Sequence, residues 1–337
     1  MTFEVFRGDE IRDGNEHVGR TLLVIRELTA GVRYVFGLDV VGRSLQVFPD
    51  DTFIVSFPRS GNTWTRFLVA NLLHPEEPVT FENIEAIVPD MHAQSKRFLR
   101  GLPRPRIIKS HEYFDPRYRR VIYIVRDPRD VLLSSYHFHR KQRQITDNYP
   151  LEDYMRRFLS GDVWGVYASW SQNVSSWIAT RPQPPVGGLF GSWSDNVSSW
   201  LQASIDHSDF LMLRYETMQA EPVRELARIA TFLRVEASPE LLSQAITRSS
   251  PEEMRKLEQS QARRWIMTKD TRQDIPFVGE AKAGGWKSNL PEECVVELEK
   301  SLGPLMTALG YELTSRVASA EAMKAMHQAP GNKDHDT

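Results

Sequence analysis

The chain has a single cysteine, Cys294, among 337 residues. One thiol excludes an intrachain disulfide framework and any cysteine-based zinc site, and it suits a reducing compartment. A surplus of either charge is also lacking, with 42 Lys and Arg against 44 Asp and Glu. No global field therefore draws the chain to nucleic acid or an anionic membrane, and any anionic ligand must be held locally. No uncharged apolar run approaches the ~20 residues of a membrane-spanning helix. The opening stretch, MTFEVFRGDEIRDGNE, is charged where a secretion signal needs an apolar core. These absences predict a cytoplasmic protein with no membrane span and no nucleic-acid partner. What remains is an ordinary globular composition, 41% apolar and 26% charged, long enough for one large α/β domain or two smaller ones.

Four short runs rich in β-branched and aromatic residues read as buried strands: FIVSF (53–57), RIIK (106–109), VIYIV (121–125) and FLMLR (210–214). Continuous apolar runs separated by helical patterns favour a parallel sheet covered on both faces. After the first strand, Trp64, Phe67, Leu68 and Leu72 recur at helical spacing. After the third, Asp127 reads as an N-cap, Pro128 as the first helical residue and Asp130 as a complement to the helix dipole. Residues 222–234 and 291–309 read as amphipathic helices. The residues before 51 are expected to pack on a domain spanning 51–313, with 314–337 a disordered tail.

VWGVYASWSQNVSSWIAT (163–180) matches VGGLFGSWSDNVSSWLQA (186–203) at 10 of 18 positions, offset by 23 residues. Two copies do not make a solenoid, which needs about three or more units. The duplication within 163–203 predicts one copy packed on the core and the other on the surface.

Three segments carry candidate chemistry. In FPRSGNTW (57–64) a strand runs through a tight turn into a helix. That junction aims free backbone N–H groups and a partial positive charge at one point. Gly61 lets the backbone curl, Arg59 adds a charge, and Ser60 and Thr63 add hydroxyls. The turn is too short for a Walker A loop. In VIYIVRDPRDVLLSSYHF (121–138), Arg126 ends a strand and Ser134 follows eight residues on, about two helical turns away. In PRIIKSHEYF (105–114), Lys109 and His111 alternate onto one side of a strand end, the edge where parallel sheets bind ligands.

Together these segments resemble the cytosolic-type sulfotransferase family, whose members transfer a sulfuryl group from 3'-phosphoadenosine-5'-phosphosulfate (PAPS). FPRSGNTW resembles that family's phosphosulfate loop, RDPRDVLLS its 3'-phosphate motif and IKSH its base-bearing strand end. The likeness continues in order through GSWSDNVSSW (191–200), LRYETM (213–218), SSPEEM (249–254) and GGWKSNL (284–290), covering about 50 to 312. The resemblance implies a P-loop nucleotide-binding type of α/β fold, a central parallel β-sheet flanked by helices. It implies that Arg59, Ser60, Gly61, Asn62 and Thr63 hold the 5'-phosphosulfate and that Trp64 packs on the adenine. Arg126 and Ser134 would then bind the 3'-phosphate, with Tyr215 and Ser249 near the base. His111 would act as general base for the hydroxyl or amine of a small-molecule acceptor, with Arg59 and Lys109 stabilising developing charge. A sulfuryl group carries less charge than a terminal phosphoryl group, so no metal is expected.

Six positions, in four places along the chain, depart from the family pattern. Arg59 stands for a lysine, a planar fork in place of a mobile point charge. Asn62 stands for a threonine, and Asn196 (Asn173 in the first copy) for a histidine. Gly279, Glu280 and Ala281 stand where the family has Arg-Lys-Gly in a loop that closes on the 3'-phosphate and base. That change keeps a non-catalytic nucleotide-binding relative in view. A P-loop phosphotransferase is a lesser alternative, lacking a Walker lysine and a magnesium carboxylate. Neither the acceptor's identity nor the oligomeric state is written in the sequence.

Overall fold

The structure, a computed structural model, describes residues 44–164, 190–205 and 209–315. The N-terminal segment before 44, the first repeat copy beyond Trp164 and the tail from 316 lie outside the described residues. The chain divides into two compact units. The smaller contains residues 44–46 and Met91–Pro103. Its one-turn helix, Lys96–Arg100, starts where the Ser95 hydroxyl accepts from the Phe98 N–H at 3.2 Å. All that follows concerns the larger unit.

Four parallel strands form its sheet: β1 (Thr52–Ser56), β2 (Ile107–Ser110), β3 (Arg120–Val125) and β4 (Phe210–Arg214), in the order β2-β1-β3-β4. The chain order thus reverses direction beside β1, which puts a crevice at the carboxyl ends of β1, β2 and β3. The first three apolar runs lie in the core, where Phe53, Ile54, Val55, Ile108, Val121, Ile122, Tyr123 and Ile124 are all 0% exposed. The fourth, expected to be buried, is instead the edge strand β4, and only its Leu213 is buried. β1 begins one residue earlier than its apolar run because Thr52 pairs with both Ile107 and Arg120.

Helices α1 (Asn62–Leu73) and α2 (Ile84–Ile87) follow β1. Behind β3 comes α3 (Pro128–Lys141), with Asp127 accepting from the Arg129 N–H as the predicted N-cap and Pro128 as its first residue. α4 (Leu151–Ser160) leads into a 3₁₀ turn, Asp162–Trp164. The second repeat copy supplies α5 (Trp193–Ser204), opened by a capping box between Ser192 and Asp195. Trp193, Asn196, Val197 and Trp200 on its inner face are buried, so this copy packs on the core. Trp200 stacks with Tyr118, Tyr123 and Phe210 at 5.8–6.3 Å. After β4 come α6 (Tyr215–Ala220), α7 (Pro222–Leu233), α8 (Pro239–Arg248), α9 (Pro251–Gln261), α10 (Trp286–Asn289) and α11 (Glu292–Ala308). Beyond α11, Thr314 and Ser315 donate their backbone N–H groups to buried Glu299 at 2.9 and 2.7 Å. Thr314 and Ser315, the first two residues of the expected tail, are thus tied to α11.

Candidate active site

The turn after β1 is shaped for an anion. Gly61 caps α1 at φ 97°, and no side chain makes a capping hydrogen bond there. A left-handed cap of this kind leaves the first-turn N–H groups pointing into the turn. Ser60 is 1% exposed, and its Oγ has no hydrogen-bond partner among the described residues. A buried hydroxyl without a partner is costly unless a ligand satisfies it. Arg59, at φ 67°, turns its guanidinium between the Phe138 and Phe277 rings, 4.8 Å from each. Its Nε donates to Ser134 Oγ at 3.1 Å and its Nη2 to the Phe277 carbonyl at 3.2 Å. Neither phenylalanine stood out in the sequence, because a cation held between two rings needs partners from distant segments.

Arg126, at the end of β3, meets the same turn. Its Nη1 donates to the Arg59 carbonyl at 3.2 Å, and its guanidinium lies 4.3 Å from the centre of the Tyr215 ring. Tyr215 in turn covers Gly61 and meets Trp64 edge-on at 5.7 Å. The two predicted anion-binding segments therefore form one constellation of Arg59, Ser60, Gly61, Trp64, Arg126, Ser134 and Tyr215. Thr63 sits half-buried in the first turn of α1.

His111 follows β2 directly and is half-buried. Its Nδ1 lies 2.8 Å from the Ser56 carbonyl. A carbonyl can only accept, so Nδ1 carries the hydrogen and the neutral ring keeps its lone pair on Nε2. Ser56 ends β1, three residues before Arg59, so the imidazole is tied to the strand that feeds the anion turn.

Three other candidates have side chains engaged inside the protein. Asn62 is 3% exposed and its Nδ2 donates to the Ile54 carbonyl, Ser56 Oγ and the Ser110 carbonyl at 3.1–3.4 Å. What it offers an anion is its backbone N–H. Lys109 is 4% exposed, with Nζ 2.5 Å from Asp90 Oδ2. Burial pulls its pKa below the usual lysine range despite that carboxylate. Ser249 is 0% exposed and its hydroxyl accepts from Asn71 Nδ2 at 3.1 Å.

The segment with the altered residues, 279–286, is held by main-chain contacts. Asp130, read from sequence as a helix-dipole residue, accepts from the Gly284 N–H at 2.7 Å and the Trp286 N–H at 3.0 Å. Burial nonetheless raises its pKa, against the lowering effects of Arg126 and those two N–H groups. Gln219 donates to the Ala281 carbonyl and accepts from the Ala283 N–H at 2.8 Å. Arg126 Nη2 reaches the Lys282 carbonyl at 3.4 Å. Among the described residues, no group of three or more His, Cys, Asp or Glu could hold a metal ion. No described helix is long and apolar enough to cross a membrane.

A parallel sheet whose strand ends present a helix-capped anion turn and paired arginines defines a nucleotide-binding α/β protein. Residues 49–187 and 186–310 match the family model for the sulfotransferase domain. The chain belongs to the sulfotransferase family. The two matched pieces meet where the second repeat copy begins. Sulfotransferase 1B1 of Canis lupus familiaris is 28% identical over 223 residues, covering 61% of this chain and 67% of that protein. The 3-beta-hydroxysteroid sulfotransferase of Cavia porcellus is 26% identical over 263 residues, covering 74% and 82%. The fold is similar to that of the mouse sulfotransferase SULT7A1 complexed with PAP, with TM-score 0.59, 20% identity, and 85% and 91% of the two chains covered.

Proposed function

We propose that this protein transfers a sulfuryl group from PAPS to the hydroxyl or amine of a small-molecule acceptor, with His111 as the general base. When bound, PAPS supplies the sulfuryl group. The carrying observation is the convergence of Arg59, Arg126 and Ser134 on the turn that also holds partnerless Ser60 Oγ, beside a histidine whose Nδ1 is tied to β1. Arg59, the Ser60 hydroxyl and the backbone N–H groups of 61–64 would hold the 5' end of the donor. Arg126 and Ser134 would hold the 3' end, and Trp64 and Tyr215 would flank the base.

His111 removes the acceptor proton at Nε2, the nitrogen that its bond to Ser56 leaves with a lone pair. As Nε2 is protonated, the positive charge is shared with the Ser56 carbonyl through Nδ1–H. Arg59 stays charged at any working pH, so it stabilises the departing phosphate oxygens without a proton transfer of its own. Lys109 acts from below the strand end through its ion pair with Asp90 and not by direct contact. The reading includes a cytoplasmic setting, which suits the buried free thiol of Cys294.

The test is His111→Ala. Binding of 3'-phosphoadenosine-5'-phosphate, measured by calorimetry, should be unchanged, while radiolabelled sulfate transfer across a panel of phenols, alcohols and amines falls by about 100-fold or more. Near-normal turnover in this variant removes His111 from the mechanism.

A further inference from the structure

Helix α5 grips the segment that carries His111. Asn196 Nδ2 donates to the His111 carbonyl at 3.1 Å and Trp200 Nε1 to the Glu112 carbonyl at 2.9 Å. The Ser199 hydroxyl accepts from the Phe114 N–H at 3.0 Å. Positions 196, 199 and 200 share one helix face by their spacing. Asn196 is 0% exposed, and its amide is engaged at both ends. The same Nδ2 donates to the Phe190 carbonyl at 3.1 Å, while Oδ1 accepts from the Tyr123 hydroxyl at 3.0 Å. Because two carbonyls face one end of the amide, that end must be the nitrogen, so the amide has a single workable orientation. Burial pushes the Tyr123 phenol far up, so it stays a neutral donor.

We propose that Asn196 is a positioning residue for His111, which fixes the main chain of that residue and thereby its ring tautomer. The inference rests on the reading of His111 as the base. The His111 ring reaches Ser56 only if its own backbone is held at the correct distance from β1. The Asn196 amide, braced by Tyr123 and Phe190, holds the His111 carbonyl from the opposite side. Freeing that carbonyl lets the ring leave Ser56 in a fraction of molecules. Those molecules admit the tautomer with hydrogen on Nε2, which cannot take the acceptor's proton at that nitrogen. They also lose the Ser56 carbonyl that would share the charge of the imidazolium.

The pentapeptide NVSSW occurs at both 173–177 and 196–200. The test therefore uses a chain carrying Asn173→Ala, so that a slip of 23 residues cannot restore the amide. That single change is expected to leave turnover unaltered. In this background Asn196→Ala is compared by ¹⁵N NMR of labelled histidine rings, with His111 assigned by its disappearance in His111→Ala. Before the change, the ring should show hydrogen on Nδ1. Afterwards, Nε2–H signal should grow in at the expense of the Nδ1–H signal. PAPS turnover should fall by roughly ten- to a hundred-fold, with the KM for PAPS held. Tyr123→Phe, which removes only the brace, should move the same signals less far in the same direction.

Ring signals in folded Asn196→Ala that superimpose on those of its parent overturn the proposal. If Asn196→Ala does not fold, unchanged signals in Tyr123→Phe overturn it equally. Shifted signals with unchanged turnover keep the positioning role and sink the base reading instead.

Discussion

His139 gives the fold a pH dependence that can be worked out from its surroundings. The side chain lies on the inner face of α3, in a residue 2% exposed, with Nδ1 2.6 Å from the Tyr154 hydroxyl and Nε2 without a partner among the described residues. The Trp164 ring lies 4.5 Å away, centre to centre. Burial first, then Arg59 and Arg157, pulls its pKa from 6.5 to about 3. The folded state therefore binds fewer protons here than the unfolded chain, so stability rises with pH. The contribution is complete above 6.5 and is lost as pH falls toward about 3. Between pH 7 and pH 5 the linkage amounts to about 2 kcal/mol. The assay is urea unfolding across that range for the native chain and for His139→Asn, which keeps a polar group near Tyr154 but cannot titrate. The substitution itself costs a constant amount at every pH, so the diagnostic is the change in the gap between the two curves. The native chain should lose about 2 kcal/mol more than the variant on going from pH 7 to pH 5. A gap that stays flat refutes a buried neutral imidazole at this position.

Two further perturbations test the site's frame. A Cβ on Gly61, where φ is +97°, would fall 2.5 Å from Tyr215 Cδ2. Gly61→Ala should cost about 1–3 kcal/mol in urea unfolding and weaken 3'-phosphoadenosine-5'-phosphate binding by calorimetry; wild-type values for both would show that the turn does not need a left-handed cap. Asp90→Ala strands the Lys109 ammonium in the interior and should lower stability by about 3–5 kcal/mol, whereas Asp90→Leu with Lys109→Met should recover most of that loss. A double variant no more stable than Asp90→Ala contradicts a buried pair, and its turnover shows directly whether the Lys109 charge matters to catalysis.

The elements legible in the sequence were those whose signal is local. Short apolar runs marked all four strands, β-branched in the first three and Phe-Leu-Met-Leu in the fourth, and Asp127-Pro128 marked the start of α3. The anion turn was legible for the same reason, since strand, glycine and helix start are adjacent. Residue roles set by distant partners were not. Asn62 reads as a donor to an anion, yet its amide is taken up by β1 and β2. Lys109 faces the binding edge by strand alternation, but Asp90, nineteen residues earlier, holds its ammonium in the interior. Ser249 is satisfied by Asn71, 178 residues away. Nothing adjacent to these residues announces such partners, because side-chain pairing depends on how finished elements pack.

The altered segment at 279–286 shows the same divide from the other side. Judged by side chains, Gly279-Glu280-Ala281 removes the cations expected of a closing loop. In the fold, Asp130, Gln219 and Arg126 hold this segment through its carbonyls and N–H groups. Such contacts need the backbone to arrive in the right place, and Ala281 meets that need by adopting φ 52°. They do not depend on what the side chains are, so the replaced residues leave the hold on the loop intact. On the donor-binding reading proposed above, what the replacement changes is the charge at this loop, and Arg126, whose Nη2 meets the Lys282 carbonyl, would supply the cation there.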